Sequence, residues 1–308
     1  MKAFSKPIAR GFTMKRISTM IAVFLAVAVL TLPWTSQARA QNVVSYVAHA
    51  GNDANNCNSP ATACASFTGA LTKTFDSGII SCADAGYFGF STISKSVTID
   101  CLAGGGGINA QQFIIDAAGK TVRLQNIAFN GLNGIVAPID IAAASQVYIE
   151  NVSVTGRNNL GLPGIRDRRA GPAVLVISNS RIVDVSGPGI VIAPSIGAIG
   201  ADLENVKSAY NTYGIAVGNG GRVTIKNSYF TNNSVAGIES DGGTFLNING
   251  SQVAFNETGV LSHGSTTLNQ TQILSNTTAI NGATQGFGNN QIVGNSTDGT
   301  APTIISSR

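Results

Sequence analysis

The chain repeats itself, and the repeat limits its fold more than any other feature. Between Thr121 and Asn295 an apolar-x-apolar run closes again and again on a polar marker, most often Asn. The copies end at Asn126, Asn151, Asn179, Asn205 and Asn227, then at Gly250, Gln270 and Asn289. A second phrase, a polar turn followed by Gly-Ile, is interleaved at Gly134-Ile135, Gly164-Ile165, Gly189-Ile190, Gly214-Ile215, Gly237-Ile238, Gly259-Val260 and Ala279-Ile280. From Asn126 the marker steps are 25, 28, 26, 22, 23, 20 and 19 residues. A period of this length is the mark of a solenoid. Short alternating runs put one side chain in and the next out, and Gly and Asn at the corners supply the positive φ that sharp bends need. Ile135, Ile165, Ile190, Ile215, Ile238, Val260 and Ile280 are expected to form one buried stack. The marker asparagines are expected to form another, with their amides bonded along the axis or to turn backbone. Leucine-rich repeats lack their L-x-x-L-x-L phrase here, and calcium-binding nonapeptide repeats lack theirs.

Residues 1–40 read as an export signal. Lys2, Lys6, Arg10, Lys15 and Arg16 precede the apolar run Met20–Leu32, and Ala38-Arg39-Ala40 offers a cleavage site. Met14 is an alternative start. The segment holds six of the 19 basic residues and no acid, so residues 41–308 carry 13 basic against 15 acidic groups, a net of −2. No argument for nucleic-acid or anionic-membrane binding survives that count. No second apolar stretch is long enough to span a membrane. Four cysteines follow, an even number that an oxidising compartment pairs. Of three possible pairings, Cys57–Cys64 closes a short loop around Pro60. Cys82–Cys101 is 19 residues apart, about one coil, and would join neighbouring rungs. No zinc spacing appears, and no cofactor motif.

The expected organisation is a cap over residues 41–77, a β-helix over 78–299 and a tail over 300–308. In the cap, Phe67, Ala70, Leu71 and Phe75 fall at helical spacing behind Ser66 as N-cap, a short helix that would cover the raw first rung. The run Thr92-Ile93-Ser94-Lys95-Ser96-Val97-Thr98-Ile99 resembles the opening of secreted right-handed parallel β-helix proteins of the pectin-lyase-like superfamily. With the cysteine-bearing cap, Thr98-Ile99-Asp100-Cys101, the two ladders and the closing Gly288-Asn289-Asn290-Gln291-Ile292-Val293-Gly294-Asn295, the chain is similar to a bacterial exported β-helix-repeat family. That resemblance implies an all-β right-handed parallel β-helix of about eight to ten coils and an extracytoplasmic compartment, but no reaction.

Chemistry is sought where the ladder breaks outward. After each Gly-Ile turn the next residue points out, as does the one two further on. The two outward columns hold Arg166 and Arg168 in one coil, Glu239 and Asp241 three coils later, and His263 one coil beyond. Glu239 and Asp241, ~6.7 Å apart by strand rise, have the separation of an inverting glycosidase pair. Glu239, Asp241 and His263 are therefore the catalytic candidates, although Asp241-Gly242-Gly243 and His263-Gly264-Ser265 are also ordinary turn sequences. Arg157, Arg166, Arg168 and Arg169 lie in the longest coils, whose added residues form loops on one face; they are the ligand-binding candidates, for an acidic sugar chain. Tyr210, Tyr213 and Tyr229 either line a groove or cover turns. Neither pectate-lyase nor polygalacturonase motifs carry over. Pro163-Gly164-Ile165-Arg166 keeps the second half of an Arg-x-Pro-x-x-Arg segment, but Gly161 stands where its first Arg is needed. Ser262-His263-Gly264 is only a partial echo of Gly-His-Gly. The leading expectation is a secreted, non-catalytic protein presenting a rigid face to carbohydrate or another envelope component. Second comes a polysaccharide lyase or hydrolase, and third a self-associating rod.

Overall fold

The computed structural model describes residues 41–104, 108–130, 137–156 and 160–306. Residues 1–40, read above as an export signal, Gly134-Ile135, Arg157 and the two last residues fall outside them. The chain winds as a parallel solenoid with three faces. Face A holds the strands after each Gly-Ile turn, including Ile165–Asp167, Ile190–Ile192, Tyr213–Val217, Ala236–Ser240 and Thr258–Ser262. Face B holds the marker-ending strands, such as Ala173–Ser178, Ile199–Glu204 and Gly221–Lys226. Face C holds short strands such as Ser153–Gly156, Arg181–Val185, Lys207–Ala209 and Tyr229–Thr231. Faces A and B merge into one 20-stranded sheet because Gln112–Gln125 and Ile139–Glu150 run through both; face C is a sheet of ten. Every pairing is parallel, as coils of one hand require.

Alternation sets the interior. In Ala173–Ser178 the side chains of Ala173, Leu175 and Ile177 are buried, and those between point outward. The register places Ile165, Ile190, Ile215, Ile238, Val260 and Ile280 one above another, all fully buried. Below Ile165 the partner is Ile139, and the expected Ile135 lies outside the described residues. From Ile165 upward glycine precedes all of these but Ile280, which follows Ala279, because there is little room for more. A Cβ on Gly237 would lie 2.5 Å from Val253 Cγ1 and 2.8 Å from Asn256 Nδ2.

The marker asparagines depart from expectation. Asn151, Asn179, Asn205 and Asn227 are exposed, not buried, and they take φ near +50° at the corner from face B to face C. Their amides still bond along the axis, Asn151 to Asn126 at 2.6 Å and Asn205 to Asn179 at 2.8 Å. The left-handed backbone selects them, and that bend turns the side chain outward. The buried amide ladder stands at the next corner, from face C to face A, at Asn211, Asn233, Asn256 and Asn276. Each backbone N–H donates to the Oδ1 of the Asn one coil on, as Asn233 to Asn256 and Asn256 to Asn276, both at 2.9 Å. Each Nδ2 reaches back to a carbonyl of the coil before, as Asn256 to Phe230 at 3.0 Å.

The first rung is covered as expected. The helix spans Phe67–Lys73, and Ser66 Oγ accepts from the Gly69 N–H at 3.0 Å. Phe67 is fully buried and meets the rings of Phe88 and Phe113 edge-on. Phe75 does not join them; it lies beyond the helix in the strand Thr74–Cys82 and is exposed. Both disulfides form, Cys57–Cys64 and Cys82–Cys101, the second between adjacent rungs with Cα atoms 4.6 Å apart. At the other end Thr303–Ile304 pairs with Gln285–Gly286, leaving Ile304 exposed. No described helix is long and apolar enough to cross a membrane.

Candidate functional site

Face A carries one outward column through Asp140, Arg166, Val191, Ala216, Glu239, Leu261 and Asn281. Its lower end is an ion-pair cluster. Arg166 Nε donates to Asp140 Oδ1 at 2.7 Å, and Arg168 Nη2 to Asp140 Oδ2 at 3.0 Å. The Asp140 side chain is buried beneath them, while both arginines remain part-exposed. Burial pushes the Asp140 carboxyl up, but the hydrogen bonds and charges of the two arginines outweigh it and hold it below the usual carboxylate range.

Arg169 does not share this surface. Its side chain turns inside the coil, only 1% exposed, and meets Asp167, which the strand alternation has already pointed inward. Two donors reach the Asp167 carboxylate at 2.8 and 2.6 Å, and others reach the carbonyls of Ala144 and Val174. A guanidinium with its donors engaged in the interior has nothing to offer a ligand, so Arg169 leaves the candidate set. Arg157 lies outside the described residues. Asp140 was missed by sequence reasoning, though stepping back 26 residues from Arg166 along the repeat lands on it.

Three coils up, Glu239, Asp241 and His263 come to one end of the face. Ser240 pairs with Ser262, so Asp241 and His263 are neighbours across adjacent rungs. Both are exposed, and their side chains share no hydrogen bond. The Asp241 carbonyl instead accepts from the Thr244 hydroxyl at 2.9 Å and closes a turn. Glu239 is half-buried. Burial and, after it, the neighbouring Asp241 push its carboxyl up, with His263 opposing. Tyr213 sits against the same group, its phenol pushed up by burial and by Glu239. Between the two charged ends Val191 and Ala216 leave a shallow floor, ~14 Å long at three rung spacings. Among the described residues no group of three acids, histidines or cysteines is placed to hold a metal.

A groove runs beside this face along the corner from C to A. Tyr210, Asn232, Phe255 and Ser275 stack there in successive coils, with φ between +54° and +59°. The left-handed backbone throws these side chains outward, leaving Tyr210 53% and Phe255 60% exposed. The shallow, open groove they border has a volume of about 670 Å³, with Ser234, Glu257 and Thr277 also lining it. The three tyrosines are thus parted: Tyr210 lines the groove, Tyr213 lies beside Glu239, and Tyr229 stands on face C.

The family described as right handed beta helix region matches residues 137–297, which is 161 of 308 residues. The chain belongs to that family. Among solved structures, the β-helix protein is similar to pectate lyase Pel9A at 18% identity, covering 89% of this chain and 79% of that one, with a TM-score of 0.42. It is also similar to the periplasmic alginate epimerase AlgG at 12% identity, covering 68% and 64%, with a TM-score of 0.38. Both are likenesses of fold alone. No curated protein matches the chain.

Proposed function

We propose that this β-helix protein is an exported carbohydrate-binding rod whose ligand lies along the corner groove. The observation that carries the reading is the pairing of Tyr210 and Phe255, two exposed rings on one corner two coils apart, ~10 Å by rung spacing. Ring faces take the apolar face of a sugar, and the Asn232 amide with the Ser234 and Thr277 hydroxyls is suited to its hydroxyl groups. The two disulfides support an oxidising compartment. A glycan array followed by calorimetry tests it. Binding without turnover is expected, and Tyr210→Ala and Phe255→Ala should each weaken it about tenfold, in line with a lost stacking contact of ~1.5 kcal/mol. A protein that binds no glycan, or whose two variants bind unchanged, sinks the reading.

A second reading rests on Glu239. A half-buried carboxyl pushed up in pKa beside Tyr213, Asp241 and His263 is the kind of group that serves as a general acid. An assay for reducing ends or unsaturated products on a polyuronate panel, with Glu239→Gln as control, decides for or against it. Activity that Glu239→Gln abolishes would replace the binding reading with an enzymatic one.

A further inference from the structure

Face C breaks a rule that the rest of the described surface keeps. Lys73, Lys95, Lys120 and Lys226 are hydrogen-bonded to carbonyls or carboxylates. Arg123 and Arg222 lie over the rings of Tyr148 and Phe245. Arg166, Arg168 and Arg169 are held by Asp140 and Asp167. Among the described residues that leaves Arg181 and Lys207, which have no partner, and they are neighbours. Arg181 pairs in register with Lys207, and Lys207 with Tyr229. Their Cα atoms are thus about one rung, ~4.8 Å, apart. Like charges directly opposite in a sheet are destabilising, and a local rule broken without internal compensation marks a site. The surroundings do not relieve it. The outward positions above, Tyr229, Gln252, Gln272 and Gln291, are uncharged.

We propose that Arg181 and Lys207 form an anion site on face C that takes the phosphate group of a phosphorylated ligand. Two full positive charges stand one rung apart with no ion pair to either among the described residues. A phosphomonoester carries about −1.5 to −2 at neutral pH and three acceptor oxygens. Its oxygens accept two parallel bonds from the Arg181 fork while Lys207 supplies a point charge from the next rung. Tyr229, half-exposed in the following coil, offers a ring face and a hydroxyl to the body that bears the phosphate. The site uses none of the groove residues and stands apart from the reading above.

Calorimetry with inorganic phosphate, glucose 6-phosphate and glucuronate at matched ionic strength tests it. Co-sedimentation with phosphatidylcholine vesicles doped with phosphatidic acid or phosphatidylserine provides a second arm. Glucose 6-phosphate is expected to bind at least tenfold more tightly than glucuronate. Arg181→Gln or Lys207→Gln should each weaken it about tenfold, the double variant should abolish it, and Lys207→Arg should retain it. Tyr210→Ala should leave it unchanged. Because both side chains are exposed and mutually repulsive, the double variant should match or exceed the parent's Tm. Binding of the soluble sugar phosphate identifies a phosphorylated glycan as the source, and binding of phosphatidic acid vesicles alone identifies a lipid headgroup. The proposal is overturned if glucuronate or a short single-stranded DNA binds as tightly as the phosphomonoester, if phosphatidylserine vesicles match phosphatidic acid ones, or if the double variant binds like the parent.

Discussion

Coils on either side of Asn205 fill the same cross-section by different means. Upstream, the coils are long, and the interior at one corner is completed by a buried ion pair, Arg169 with Asp167, that no neighbouring coil repeats. Downstream, the coils shorten to about 20 residues, Val217 and Ser240 stand in the place of Asp167, and the main polar interior is an asparagine repeated from coil to coil at a different corner, from face C to face A. A lone buried charge pair depends wholly on its own geometry. A repeated amide is held from both sides and needs no counter-charge. The outward faces follow the same division: the arginine cluster belongs to the long coils, and the aromatic groove to the short ones.

The sharpest way to break this contrast is to remove one partner in each half. Arg169→Met strands the Asp167 carboxylate in the interior and should cost about 3–5 kcal/mol in denaturant unfolding, whereas Arg169→Met with Asp167→Leu should recover most of that loss. Equal loss in both variants would show that the pair's role is packing. Asn256→Ala in the short coils removes a side chain with four hydrogen bonds, to Asn233 N–H and amide, to Asn276 and to Phe230. It should cost about 2–3 kcal/mol, the penalty of leaving buried backbone groups unpaired. A loss as large as that of Arg169→Met would erase the distinction.

The two ends of the face A column sharpen it by pH. Asp140 titrates lower in the folded chain than in the unfolded one, so its contribution is present at neutral pH and lost as pH falls below about 4 through the folded pKa. Glu239 is shifted the other way, so the folded state is penalised as pH rises out of the ordinary carboxylate range. Thermal scans from pH 3 to 8 should show Asp140→Asn below the parent at neutrality and Glu239→Gln above it, both gaps closing in acid. Parallel curves would remove the electrostatic account. The smallest effect is expected at the exposed corner. At φ +49°, Asn227→Gly should lie within about 0.5 kcal/mol of the parent, and Asn227→Ala should lose about 1 kcal/mol to left-handed strain.

The parts of this fold legible in the sequence are those with a period. The Ile165 to Ile280 stack, the outward columns on face A and the rung-to-rung disulfide all follow from counting residues between copies. Asn227 and its counterparts were recognisable as corner residues but not as exposed ones, because periodicity gives the step between equivalent residues and not the direction of each bend. The buried ladder was also present in the spacing. Asn211, Asn233, Asn256 and Asn276 each precede a Gly-Ile, Gly-Val or Ala-Ile turn by three or four residues. The more frequent Asn after the apolar run drew attention from it. Arg169 was not legible, since an Arg-rich segment beside a turn reads as solvated until the inward-facing Asp167 is seen to need a counter-charge. Phe255 and the groove were hidden for a related reason: an exposed ring at positive φ looks, in one dimension, like one more apolar residue of a strand.

The amide ladder also bears on how long such a rod can be. Each asparagine donates its backbone N–H forward and its side-chain amide backward, so a coil bearing Asn at that place presents the same bonding groups below and above. A further coil of about 20 residues spliced between Asn256 and Asn276 would find partners waiting on both sides, with no residue elsewhere needing to change. The short-coil half is therefore a modular length of rod, extendable by duplication, while the half built around Asp167 and Arg169 is fixed at one copy.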